Sequence, residues 1–266
     1  MHKARTVLAA LMLLMCGCDR FSCTGNNPNV PQLVDSPAVP TYAVVVGMEN
    51  SRVAGSCPGA KYDSDRMYQL LSQIANETVL LQDAAATRQS ILDAMSAAVE
   101  KAGDGLFVFY YSGHGGSDPF PDTGIEESDG KDEYLCPNDT YLRDNDIWKV
   151  ISKCRGRVFL IADCCHSRTI FRIANLTLES PATARDTWHE SGNLSMQCWS
   201  GCHDYKVSYG SGRGGKFTNA LLRHYKPGMT YDSLWKKIED DKELRKFQAV
   251  QRTLMGADFG STATFR

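Results

Sequence analysis

Two apolar runs in the chain end abruptly in polar, reactive side chains. Val158-Phe-Leu-Ile-Ala162, opened by Gly156, passes without a spacer into Asp163, Cys164, Cys165 and His166. Leu106-Phe-Val-Phe-Tyr-Tyr111 has the same design and feeds Ser112-Gly-His-Gly-Gly116. A short, unbroken apolar run predicts a strand buried on both faces. Tyr42-Ala-Val-Val-Val-Gly47 and Thr78-Val-Leu-Leu-Gln82 read as further strands. Between these two, Met67, Leu70, Leu71 and Ile74 fall on one face at helical spacing, in a helix starting near Lys61. Thr87 caps a helix through Ile91, Leu92, Met95 and Val99, with Gly103 past its end. The alternation predicts an α/β chain with a mostly parallel central sheet and helices on both faces. Ile147 to Ile151 belongs to the helix before the second reactive strand. Further on come a strand from Met196, a helix over Asn219-Tyr225, a helix carrying Leu234 and Ile238, and a last strand near Ala263-Thr-Phe265.

Reactive residues at the carboxyl ends of buried parallel strands suit a site at the rim of such a sheet. If the two strands are neighbours, His114 lies beside Cys164 or Cys165, and a thiol next to an imidazole is the minimum apparatus for a cysteine nucleophile. Gly115 and Gly116 let the main chain approach a reacting carbonyl closely, as backbone N–H donors to an oxyanion require. The strand period of two puts Asp163 on the side of Cys165 and Ser112 on the side of His114. A carboxylate there is costly unless a cation arrives, and the Arg or Lys of a substrate would supply one.

Composition narrows the alternatives. The 266 residues, 42% hydrophobic and 23% charged, suffice for one α/β domain with a full core. A formal net charge of -2, without a basic run, gives no reason to expect nucleic acid. The start is distinct: His2, Lys3 and Arg5 precede the apolar stretch Val7 to Met15, then Cys16-Gly-Cys18. This reads as a secretory signal over 1–17, too short to span a bilayer, with Cys18 as a lipidated residue or, alternatively, an incidental cysteine. The Pro- and Asn-rich stretch 18–40 reads as an extended linker, leaving 41–266 as the folded domain of an extracytoplasmic, monomeric protein. The cysteine spacings show no repeat, so core or site-lining thiols are expected rather than a disulfide framework. Gly210-Ser-Gly-Arg-Gly-Gly-Lys216 approaches a phosphate-binding loop, but the residue that should hold magnesium is Phe217, and the nucleotide reading fails there.

Tyr111-Ser-Gly-His-Gly115 followed by Asp163-Cys-Cys-His-Ser167 resembles the metacaspase (and bacterial orthocaspase) branch of the caspase-type peptidases. The His-to-Cys spacing of about 50 residues agrees with the caspase signature. A third stretch, Ser200-Gly-Cys-His-Asp204 with Ser208, is similar too, so the resemblance runs from Thr41 to the end. It implies a caspase-like three-layer fold and a Cys-His dyad of Cys165 and His114, with Cys164 as a neighbour. It implies cleavage of protein substrates after Arg or Lys, with Asp163 and Asp63 as pocket carboxylates and Asp204 beside them. Otherwise Asp63 would be an exposed acidic residue favoured by a helix dipole. No cofactor is needed for the chemistry, but calcium is implied as an activator, with Asp129 and Asp144 where family ligands occur. Asn145 and Arg172 stand where further carboxylates are expected, and Arg cannot ligate calcium. A solvated acidic loop over Ser117 to Asp144 is the alternative. Arg168 stands where the family has Gly. A catalytically silent caspase-like binding module is the competing function.

Overall fold

The computed structural model describes residues 39–118, 132–164, 194–201 and 210–265. In chain order these form β1 (Thr41–Gly47), β2 (Asn50–Ser51), β3 (Gly55–Ser56), α1 (Ala60–Leu71), β4 (Glu77–Gln82), α2 (Arg88–Ala102), β5 (Leu106–Ser112) and β6 (Gly115–Asp118). After them come β7 (Asp132–Leu135), β8 (Leu142–Arg143), α3 (Asp144–Ile151), β9 (Arg157–Asp163) and β10 (Ser195–Ser200). The remainder is β11 (Gly210–Ser211), β12 (Gly214–Gly215), α4 (Lys216–His224), α5 (Tyr231–Glu239), α6 (Lys242–Arg245) and β13 (Gln251–Met255). The signal and linker expectations for 1–17 and 18–40 fall outside the described residues, apart from Val39 and Pro40.

Six strands make the central sheet in the order β13-β10-β9-β5-β1-β4, parallel throughout except for antiparallel β13. Strand β1 leads to β4 on one side, and the chain then returns to β5 on the other. That reversal opens a crevice at the carboxyl ends of β1 and β5, where open α/β sheets bind ligands. The two faces carry separate cores, as alternation along each strand dictates. Val44, Val46, Phe107, Phe109, Leu160 and Ala162 face α2 and α3; Ala43, Val45, Val108, Tyr110, Phe159 and Ile161 face α1, α4 and α5. Burying each such aliphatic or aromatic side chain stabilises the fold by about 1.5–3 kcal/mol. On the second face Phe159 meets Trp199 and Tyr231 edge-on, with ring centroids 4.8 and 4.9 Å apart.

The helix ends follow their local chemistry. Thr87 and Ser90 form the capping box of α2, and Gly103 ends it with φ 55°. Helix α1 lies so close to β1 that a Cβ on Gly47 would stand 2.0 Å from the Ser64 hydroxyl oxygen. Only Gly fits at that contact, and the contact sets the first turn of α1 over the carboxyl end of the sheet.

Two expectations are corrected. The last strand is Gln251–Met255, not Ala263–Phe265: β13 pairs with β10, whereas Ala263 makes one isolated bridge to Thr230 and Phe265 is a core residue. A strand at a sheet edge needs pairing donors rather than an apolar run, so Gln251-Arg-Thr-Leu-Met255 carries little sequence signal. The stretch Ser117 to Asp144 is not one loop at both ends, because β6, β7 and β8 form a three-stranded antiparallel sheet there. No helix among the described residues is long and apolar enough to cross a membrane.

Candidate active site

The register aligns the polar residues across the strand ends. Gly47 pairs with Ser112, and Ser112 with Asp163, so β1, β5 and β9 finish on one line. His114 follows two residues after Ser112 and Cys165 two residues after Asp163. Cys165 itself lies outside the described residues, as do Asp204 and Asp129. Cys164 is buried, 2% exposed, in the core on the α2 and α3 face.

His114 is half-buried, and its Nε2 stands 2.9 Å from the carbonyl oxygen of Ser56 in β3. A carbonyl only accepts, so Nε2 carries the proton and Nδ1 is the basic nitrogen. The backbone is pinned as well: the Tyr111 hydroxyl donates to the His114 carbonyl at 2.8 Å, and the Cys136 N–H donates to it at 3.1 Å. The imidazole is thereby held in one tautomer and one place, which a general base requires. Gly115 opens β6 directly after it, in register with Leu135.

Asp63 is not an exposed helix-start residue: it is 1% exposed, and Asp163 is 5% exposed. Asp63 Oδ2 accepts from the Ser112 hydroxyl at 3.1 Å and from the Gly215 N–H at 2.7 Å. Its Oδ1 is 2.7 Å from Nη2 of Arg66. Asp163 Oδ2 accepts from the N–H of Thr218 at 2.9 Å and from its hydroxyl at 2.8 Å. Tyr110, whose phenol burial pushes up, stands 2.7 Å from that hydroxyl and donates to it. Both carboxylates therefore sit on the start of α4, where unpaired backbone N–H groups and the helix dipole favour negative charge. The Gly-rich stretch makes this approach possible: a Cβ on Gly214 or Gly215 would stand 2.1 Å from an oxygen of Asp63 or Asp163 respectively.

Two buried carboxylates so close repel each other. The Asp63 pKa is raised from 3.8 to about 7, first by burial and then by the Asp163 charge, which together outweigh the bonds from Gly215 and Arg66. The consequence for stability has a definite sign. A folded carboxyl whose pKa is raised binds a proton more readily than the unfolded one, so its contribution is lost as pH rises from about 4 to about 7. The shift corresponds to about 4 kcal/mol. Asp63→Asn is therefore expected to gain on the wild type by a few kcal/mol between pH 5 and pH 8, as read from denaturant unfolding at both. A stability difference that does not change with pH would count against the repulsion.

The sequence brings Asp63, Ser112 and Asp163 together, the first of them through the family resemblance. It does not point to Thr218, Arg66 or the Ser56 carbonyl. One signal was available for Thr218: α4 starts after Gly215, which has no capping side chain, so its first-turn N–H groups need an acceptor from elsewhere. Phe217, the residue that ruled out magnesium, is fully buried in the core.

For calcium the fit is partial. Asp144 is fully buried, and Asn145 beside it has a buried side-chain oxygen with no hydrogen-bond partner among the described residues. Both are oxygen donors of the kind calcium takes, but the ion wants six to eight. No group of three or more His, Cys, Asp or Glu is arranged for a metal among the described residues. Cys136, Cys154, Cys164 and Cys198 are buried among the core residues.

A mostly parallel sheet with a fixed histidine just after β5, and Cys164 directly after the neighbouring β9, is an α/β fold with reactive residues at its strand ends. The caspase domain of the C14 peptidases matches residues 40–253, so the chain belongs to the caspase family. It is 33% identical over 138 residues to metacaspase-4 of Arabidopsis thaliana, and 33% identical over 144 residues to metacaspase-1 of Schizosaccharomyces pombe. Each match takes in 47% of this chain but 33% of the relative's length. Among solved structures, a structural-genomics protein of Geobacter sulfurreducens superposes with a TM-score of 0.63 at 26% identity, covering 82% of this chain and 94% of that one. Caspase-1 of Spodoptera frugiperda shares the fold, with a TM-score of 0.53 at 14% identity over 82% of this chain and 90% of its own.

Proposed function

We propose that the chain is a cysteine endopeptidase that cleaves protein substrates after Arg or Lys. The observation that supports this most is the pair Asp63 and Asp163, buried together where β5 and β9 end and each fixed by donors from α4. In this reading His114 Nδ1 takes the proton of Cys165, and the thiolate attacks the scissile carbonyl. The N–H groups of Gly115 and Cys165 meet the oxyanion. His114 then gives its proton to the leaving amine, and later draws one from the water that hydrolyses the acyl-enzyme. The substrate's cation enters the pocket between the two carboxylates, replacing its water with charge-assisted bonds. Turnover of an Arg-ended fluorogenic peptide is the direct test. A correctly folded protein that binds such a peptide without cleaving it would favour the silent binding module.

Two further parts of the proposal rest on sequence features. The basic start, the apolar stretch and Cys18 support an extracytoplasmic protein anchored by lipid at Cys18. Mass spectrometry of the mature N-terminus is expected to find Cys18 first and acylated; a retained Met1 would sink that part. Calcium is kept as an activator acting through Asp129 and Asp144, with no catalytic step routed through it. Loss of activity on chelation, restored by calcium and not by magnesium, is the expected sign, and activity indifferent to chelator would remove calcium.

A further inference from the structure

Arg66 is a cation that already sits on Asp63. Its Nη2 lies 2.7 Å from Asp63 Oδ1, one helical turn along α1, and its side chain is 25% exposed against 1% for Asp63. The guanidinium is fixed in place by more than this bond. It stacks over the Tyr62 ring at 4.3 Å, and a Cβ on Gly214 would stand 2.7 Å from Nη2. Its Nε is buried with no hydrogen-bond partner among the described residues, a cost accepted only where another interaction holds the group.

The other groups around Asp63 come from every element packed against it. From β5 it meets Ser112 and, beneath it, the Tyr110 phenol; from β9 the Asp163 carboxylate; from α4 the Gly215 N–H. On its own helix, Lys61 and Asp65 are both engaged by Gln82 of β4. Lys216, at the start of α4, has its ammonium over the Phe247 ring at 4.4 Å. Arg213, on the β11-β12 hairpin, is exposed.

We propose that Arg66 is a resident counter-ion of Asp63, a positioning residue that favours the ionised carboxylate in the empty pocket and so sets the pH above which the pocket takes a substrate cation. The proposal rests on the reading that Asp63 and Asp163 receive the substrate's Arg or Lys. Without Arg66 the proton on the carboxylate pair is held to higher pH. A substrate Arg must then displace that proton. Binding is weakened at acid pH, while above the proton's pKa the doubly negative pocket attracts the cation more strongly than in the wild type.

The test is the pH profile of kcat/KM, from pH 5.5 to 9, on matched peptides ending in Arg and Asp, for the wild type, Arg66→Gln and Arg66→Lys. For Arg66→Gln the acid limb on the Arg peptide is expected to move up by about one pH unit, a roughly tenfold loss near pH 6 carried in KM. At pH 9 the variant is expected to equal or exceed the wild type, so the two profiles cross. Arg66→Lys keeps a cation in reach and is expected to restore the wild-type limb. A parallel fall at every pH would assign Arg66 to packing and overturn the proposal, as would an unmoved profile. If the wild type itself shows no preference for Arg over Asp, the pocket reading fails, and the proposal with it. An Arg preference in the wild type that is indifferent to Arg66 overturns the proposal alone.

Discussion

Cys165→Ala and His114→Ala are each expected to abolish turnover of an Arg-ended peptide, by about a thousandfold or more, while the protein stays folded. The thiolate and the base act as a unit, so removing either leaves little for the other to do. Among the described residues His114 makes its side-chain bond only to the Ser56 carbonyl, and it is half-buried. Its truncation should cost about 1 kcal/mol of stability, too little to unfold the domain. Cys164→Ala is the contrasting variant. That thiol is a core residue on the α2 and α3 face, so its loss costs packing and leaves substantial activity. Far-UV circular dichroism and kcat/KM on the three variants decide the matter. Turnover retained by Cys165→Ala but lost in Cys164→Ala would transfer the role of nucleophile to Cys164.

The second large effect concerns charge. Asp163→Asn keeps an oxygen that can accept both bonds from Thr218, so the start of α4 keeps its acceptor and only the charge is removed. Selectivity for Arg over Asp peptides is expected to collapse by about a hundredfold or more, because like-charge contacts in a poorly hydrated site cost several kcal/mol. Stability is expected to hold or rise, since the repulsion on Asp63 is relieved. The measurement is kcat/KM on matched peptides ending in Arg, Lys, Asp and Leu. Equal rates on Arg and Asp peptides in the wild type, or an Asp163→Asn profile indistinguishable from it, would show that the pocket lies elsewhere.

These two experiments address groups that differ in how legible they were. His114 and the pair Cys164 and Cys165 are marked by local order, because an apolar run that stops at a reactive residue marks the end of a buried strand, and the choice of Cys165 comes from the resemblance. Asp163 followed from the alternation of the same strand. Asp63 needed a resemblance, since an Asp in a helix's first turn is ordinarily exposed; its burial is set by the packing of α1 on β1 at Gly47. The antiparallel β6-β7-β8 sheet escaped notice because its strands are two to four residues long and rich in charge. Strand β13 was missed for a related reason, being a polar edge strand held by one neighbour.

The sequence by itself determined the class of sheet and its strand ends, because strand burial and side-chain alternation are written in neighbouring positions. What only the tertiary structure decided is what surrounds His114 and Asp163. Asp63, Asp163 and Thr218 come from α1, β9 and α4, and the Ser56 carbonyl from a two-residue strand 58 residues before His114. A carbonyl oxygen has no residue type, and a carboxylate's pKa depends on groups up to 152 positions away in the chain. Hydrogen bonds, desolvation and charge act through space, so these terms exist only once the chain has folded.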